Sequence, residues 1–79
     1  MSRARDVVEV VAQALASRPA DVRVTEFDRR GTMIVQLTMA PGDLGRVIGR
    51  QGRTAVAVRA LAAAAAEIDG LKVTVDFAD

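Results

Sequence analysis

Six positions near the middle of this 79-residue chain, Arg46, Gly49, Arg50, Gln51, Gly52 and Arg53, are the ones whose types and spacing could do chemistry. Gly49 and Gly52 bracket a four-residue turn. Glycine opens backbone conformations closed to other residues, and it lets another molecule approach the main chain without meeting a Cβ. Where a helix begins at the end of such a turn, its unpaired N–H groups and the positive end of its dipole form a site for an anion, above all a phosphate. Arg50 and Arg53 add positive charge at that point, and Arg46 lies just upstream. The competing reading is a connection whose glycines serve geometry alone, because a GxxG tetrapeptide is common.

Other chemistry has little to work with. The chain has no cysteine and no histidine, which removes disulfides, thiolate ligands, the usual general base and the commonest metal ligand. Its carboxylates are mostly isolated along the chain. No catalytic residue, metal site, cofactor or small-molecule substrate is expected, and the chain reads as a non-enzyme. The net charge of +1 names no partner by itself. Its distribution says more: between Asp43 and Glu67 stand Arg46, Arg50, Arg53 and Arg59 and no acid. An ordinary solvated basic patch is the alternative for charge alone.

A single domain, residues 1–79, is expected from the length. With 51% hydrophobic residues and only Phe27 and Phe77 aromatic, the core must be aliphatic. No stretch is long and apolar enough to span a bilayer, so no membrane role is expected. Arg3 and Arg5 ahead of a Val-rich run faintly resemble a secretory signal, but Asp6 and Glu9 interrupt the apolar region. That segment reads as a helix of the mature fold, and a cytoplasmic location is expected.

The elements that must position the turn follow from periodicity. Residues from about 3 to 17 read as an amphipathic helix with the stripe Val7, Val8, Val11, Ala14 and Leu15, stopped by Pro19. Val22 to about Phe27 reads as a strand, Asp28–Arg29–Arg30–Gly31 as a polar turn, and Met33, Val35, Leu37 and Met39 as one face of a second strand. Ile34 falls on the otherwise polar face, either exposed or lining a groove. Pro41 marks a helix start and Asp43 its first turn, where the dipole favours an acid. Leu44, Val47 and Ile48 follow, and Gly49 ends this short helix. A long helix runs from about Gly52 to Asp69 with Thr54, Val58, Leu61, Ala65 and Ile68 as its stripe. Leu71, Val73, Val75 and Phe77 share one face of a last strand. The expected order is helix, strand, strand, helix, helix, strand: an α+β, two-layer domain with three helices on one face of a three-stranded sheet.

Two familiar anion-binding designs fail here. Rossmann and P-loop turns need a strand immediately before the glycines, and this turn follows a helix. DNA-reading helix-turn-helix is a better competitor, but Ala57, Ala60, Ala63 and Ala64 on the second helix offer little to base edges.

Val47-Ile48-Gly49-Arg50-Gln51-Gly52-Arg53, followed by Val58-Arg59, resembles the signature of the KH domain, and the order of elements resembles its type II, or prokaryotic, arrangement. The resemblance covers essentially the whole chain. With the approach Ala40-Pro41-Gly42-Asp43-Leu44-Gly45-Arg46, it extends to the small bacterial single-KH proteins called KhpA. It implies that the GxxG loop contacts the backbone of about four nucleotides of single-stranded RNA. Their bases would lie in a narrow groove between the paired helices and a sheet edge, lined in this family by aliphatic side chains. Carried over by position, Gly49 and Gly52 give the close approach, Arg50 and Gln51 are the exposed loop residues, and Arg46 and Arg53 are phosphate contacts. Ile48 packs beneath the loop and is more a core residue than a contact. Arg59 lies about two turns beyond and is either a contact or structural. Arg29 and Arg30 in the hairpin either reach the RNA strand or are solvated. The resemblance also implies self-pairing, or pairing with a KH protein of the KhpB (Jag) type. A protein-interaction subunit with incidental RNA binding is the alternative function.

Overall fold

The computed structural model describes residues 2–78. Helix α1, Arg3–Leu15, begins where the Ser2 hydroxyl accepts the Arg5 N–H at 3.1 Å, an ordinary N-cap. A short 3₁₀ turn, Pro19–Asp21, leads into strand β1, Arg23–Arg29. Strand β2 is Thr32–Thr38, helix α2 is Leu44–Ile48, helix α3 is Arg53–Ile68 and strand β3 is Lys72–Ala78. The sheet order is β1-β2-β3; β1 and β2 pair antiparallel and β2 and β3 parallel. This is the expected α-β-β-α-α-β arrangement, and the core is aliphatic, centred on Val8, Val35, Leu37, Val47 and Val58. Among the described residues no helix is long and apolar enough to cross a membrane.

Three local expectations need correction. The stripe of α1 is Ala4, Val8 and Ala12, with Val7 and Val11 beside it, and Ala14 and Leu15 are exposed. The stripe of α3 is Ala55, Val58, Ala62, Ala65 and Ala66, whereas Leu61 and Ile68 face outward at 53% and 71% exposure. Both shifts have one cause: α1 and α3 pack on each other along alanines, which allow a closer approach than larger side chains would. The helix expected from Pro41 begins only at Leu44. Pro41–Gly42–Asp43 is a turn, and Asp43 occupies the N-cap position without capping. Its carboxylate turns away to another segment, described below.

The hairpin is tighter than the four-residue turn expected. Arg29 pairs with Thr32, leaving Arg30–Gly31 as a two-residue loop with both φ values positive. Ile34 is 5% exposed although it lies on the sheet face away from the helices. It sits between Phe27 on β1 and Thr74 on β3 in the cross-strand register, so the neighbouring side chains cover it.

Candidate nucleic-acid interface

The turn that joins α2 to α3 is built by glycine conformations. Gly49 ends α2 with φ 75° and ψ 175°, a region essentially confined to glycine. Its N–H donates to the Gly45 carbonyl at 2.9 Å, closing the last turn of α2. Arg50–Gly52 forms one 3₁₀ turn, in which Gln51 takes φ 57° and ψ 24° and Gly52 φ 72° and ψ 13°. Two successive left-handed residues push the Arg50 and Gln51 side chains outward, and both are exposed. Arg53 is exposed as well, and its Nη2 donates to Gln51 Oε1 at 3.3 Å.

The start of α3 is open. Gly52 stands at its N-cap without a side-chain cap, and its first turn holds no acid. The Arg53 N–H is taken up by the Arg50 carbonyl within the turn, and the N–H groups that follow it lack intrahelical partners beside the exposed Arg50, Gln51 and Arg53. Fixed N–H dipoles, a helix start and two guanidiniums together favour an anion with several acceptor oxygens.

Asp43 holds the approach to this turn. It is 3% exposed, with its Oδ1 accepting from Ser17 Oγ at 2.6 Å and its Oδ2 from the Arg18 N–H at 3.0 Å. The Ser17 hydroxyl first, and the backbone N–H groups with it, hold this carboxyl below the usual carboxylate range against the opposing effect of burial. Arg46 Nε lies 3.5 Å from Asp43 Oδ1 with most of the Arg46 side chain still exposed. The carboxylate thus ties the segment after α1 to the start of α2 and pairs with Arg46 on that helix.

Arg46, Arg50, Gln51 and Arg53 are all exposed, with Gly49 and Gly52 half-buried among them in the turn from α2 to α3. Ile48 is half-buried beneath the loop. Arg59 lies along α3, its guanidinium carbon 4.8 Å above the Phe77 ring. Arg29 and Arg30 are elsewhere: they flank the start of β2, whereas the chain leaves for α2 after its end at Thr38. Seven strand residues separate the two ends, about 20 Å. Two residues of the site were not expected. Thr54, assigned to an apolar stripe, packs against Gly49. Phe77, assigned to the apolar face of β3, carries Arg59. A polar residue within a stripe and an aromatic at a strand's end were the only signals for them.

Comparison with known proteins identifies the family of the chain. The KH domain family described as KhpA/KhpB matches residues 5–77. A protein of Halalkalibacterium halodurans named RNA-binding protein KhpA is 43% identical over 75 residues, covering 95% of this chain and 99% of that one. Proteins with the same name from Clostridium perfringens and Aquifex aeolicus are 40% and 38% identical, covering 92% and 98% of this chain and 97% and 98% of theirs.

Proposed function

The chain belongs to the KhpA/KhpB family of KH domains, and from that premise we propose that it binds single-stranded RNA through the turn Gly49–Arg50–Gln51–Gly52, with low sequence specificity, in bacterial RNA regulation in the cytoplasm. The observation that carries this reading is the convergence of exposed Arg50, Gln51 and Arg53 on the uncapped start of α3. A phosphodiester supplies the negative charge and acceptor oxygens that such a place favours. RNA as the nucleic acid is supported by the names of the relatives. The small number of base-reading side chains supports tolerance of sequence, and backbone binding of this kind weakens as salt rises. Such a module suits an RNA chaperone, which must engage many strands and release them.

The test is fluorescence anisotropy of a labelled single-stranded RNA pool at low and moderate salt, with wild type and the double variant Arg50→Asp, Gln51→Asp. Circular dichroism establishes that the variant is folded, as expected for exposed loop residues. Salt-sensitive binding by wild type and none by the folded variant supports the clamp. Equal binding by both proteins, or by neither, removes it.

A second reading, pairing with another copy or with a KhpB-type KH protein, is supported by the outer face of α3. Val56, Ala57, Ala60, Leu61, Ala64 and Ile68 are all exposed there, an apolar strip that a soluble monomer would ordinarily not display. Pairing would also strengthen a weak clamp by raising its effective concentration. Sedimentation of wild type and Leu61→Asp distinguishes the cases: a dimer that the substitution splits supports pairing through this strip, and a wild-type monomer limits the strip to a different partner.

A further inference from the structure

We propose that the sheet face turned away from the helices is a second contact for single-stranded RNA, taking a base and phosphates of a strand already held by the loop; this rests on the clamp reading above and extends it to longer strands. The strand registers set the outward side chains in rows. Arg29, Thr32 and Lys72 form the row beside the hairpin loop. Phe27, Ile34 and Thr74 form the next, followed by Thr25, Gln36 and Asp76.

Phe27 is 40% exposed, an aromatic ring on the open face of a sheet. The Arg29 guanidinium carbon stands 5.5 Å over that ring. Ring and guanidinium are both planar surfaces on which a base stacks. Among the described residues Arg29, Arg30 and Lys72 have no carboxylate partner, so three cations gather unneutralised at this end of the sheet. Asp76 is the acid on the same face, two rows from Lys72. Asp28 alternates with Phe27 and Arg29 and so projects to the other face. Glu26 does likewise and accepts from Ser2. Arg30 holds φ 52° in a loop that Asn-Gly fits with less strain, so its charge stands at the hairpin tip at a cost in stability.

The chemistry of the patch selects its occupant. A lipid surface calls for several exposed apolar side chains, and this face has the one ring. An acidic peptide would use the cations and leave the ring idle. Thr25, Thr32, Gln36 and Thr74 surround the ring with hydrogen-bonding groups, which suit the edges of bases. One stack and a few cations bind weakly alone, but a strand held at the loop presents its further nucleotides at high effective concentration. The molecule measures 33 × 23 × 19 Å. A strand of about twenty nucleotides, at about 3.4 Å each, extends about 68 Å and reaches round to the hairpin end, whereas a tetranucleotide on the loop does not.

The experiment measures anisotropy of labelled oligouridylates of four and about twenty nucleotides, and of a long strand with abasic sites everywhere outside one terminal tetranucleotide. The proteins are wild type, the double variant Arg29→Glu, Lys72→Glu, and Phe27→Leu, which keeps an apolar cover on Ile34; circular dichroism checks each for folding. The reading is the ratio of long-strand to tetranucleotide affinity, since the gain from overlapping registers on a long strand is common to all three proteins. The double variant should lower that ratio on the order of 10-fold and Phe27→Leu on the order of 5-fold, with tetranucleotide binding unchanged. On the abasic strand Phe27→Leu should match wild type, while the double variant still falls short. Equal ratios in all three proteins overturn the sheet contact and leave the clamp intact, as does an equal loss on long and short strands. Capture of anionic phosphatidylglycerol vesicles or polyglutamate by wild type, with those equal ratios, would give the face to a different occupant. If wild type binds no strand, the clamp reading fails first and the sheet contact with it.

Discussion

Gly49 lies directly against Thr54: a Cβ built on the glycine would stand 2.8 Å from the Thr54 Cβ and 3.2 Å from its backbone nitrogen. The turn is therefore folded back onto the first residues of α3, and position 49 has neither the dihedral freedom nor the space for a side chain. Gly52 has a left-handed conformation too, but open space where a Cβ would go. Gly49→Ala should accordingly cost about 2 to 4 kcal/mol of stability or force the loop to shift. Gly52→Ala should cost about 1 kcal/mol. Urea unfolding of the two variants measures the difference, and equal losses would mean that the Thr54 contact does not restrain the loop.

The salt dependence of RNA binding should separate the arginines by place. For a single strand, each phosphate contact contributes about 0.7 to the slope of log affinity against log salt. Arg50→Ala and Arg53→Ala should each lower the slope by about that amount. Arg29→Ala and Arg30→Ala should leave it unchanged for a tetranucleotide, because the hairpin lies at the opposite end of β2 from the departure toward α2 and the loop. Anisotropy titrations across a salt series provide the slopes.

Arg30 is strained where it stands. With φ 52° at Arg30 and 86° at Gly31, the two-residue hairpin loop has the conformation that favours Asn-Gly. Arg30→Asn should raise stability by about 0.5 to 1 kcal/mol, seen as a higher Tm. A lower Tm would mean that the arginine makes compensating contacts.

Asp43 should leave a signature in acid. Its folded carboxyl is held below the usual range, chiefly by the Ser17 hydroxyl. A group whose pKa falls on folding stabilises the protein above its unfolded value, about 3.9 for aspartate, and loses that contribution as pH drops through the folded value. Wild-type Tm should therefore fall below about pH 4 more steeply than that of Asp43→Asn, which should be less stable at neutral pH. Ser17→Ala should move the fall to higher pH. Parallel curves for wild type and Asp43→Asn would exclude a special role for this carboxylate. Asp69, held down by the Arg3 N–H and guanidinium, should contribute in the same direction.

Much of this was legible because it is local. Alternation in Met33–Val35–Leu37 and Val73–Val75–Phe77 marks strands, and the glycines at 49 and 52 mark the turn. The packing between α1 and α3 was harder to read. Bulky residues dominate a search for stripes and draw Leu61 and Ile68 inside, and the run Ala62 to Ala66 shows that close packing is possible but not which of its members are buried. Partnerships over long separations left no local trace: Asp43 with Ser17, 26 positions away, or Arg59 with Phe77. The distance of Arg29 and Arg30 from the loop follows from the strand pairing, which no single segment reveals.

The alanine packing of α1 and α3 also bears on the thermodynamics of binding. Ala4 and Ala12 on one helix and Ala55, Ala62 and Ala66 on the other are all buried, and alanine has no rotamers to reorganise. The helix that begins at the loop is therefore held by surfaces with little freedom to repack, and the donors at its start keep their directions before any ligand arrives. A preorganised site of this kind loses little conformational entropy on association, so even a small patch of contacts can be used efficiently.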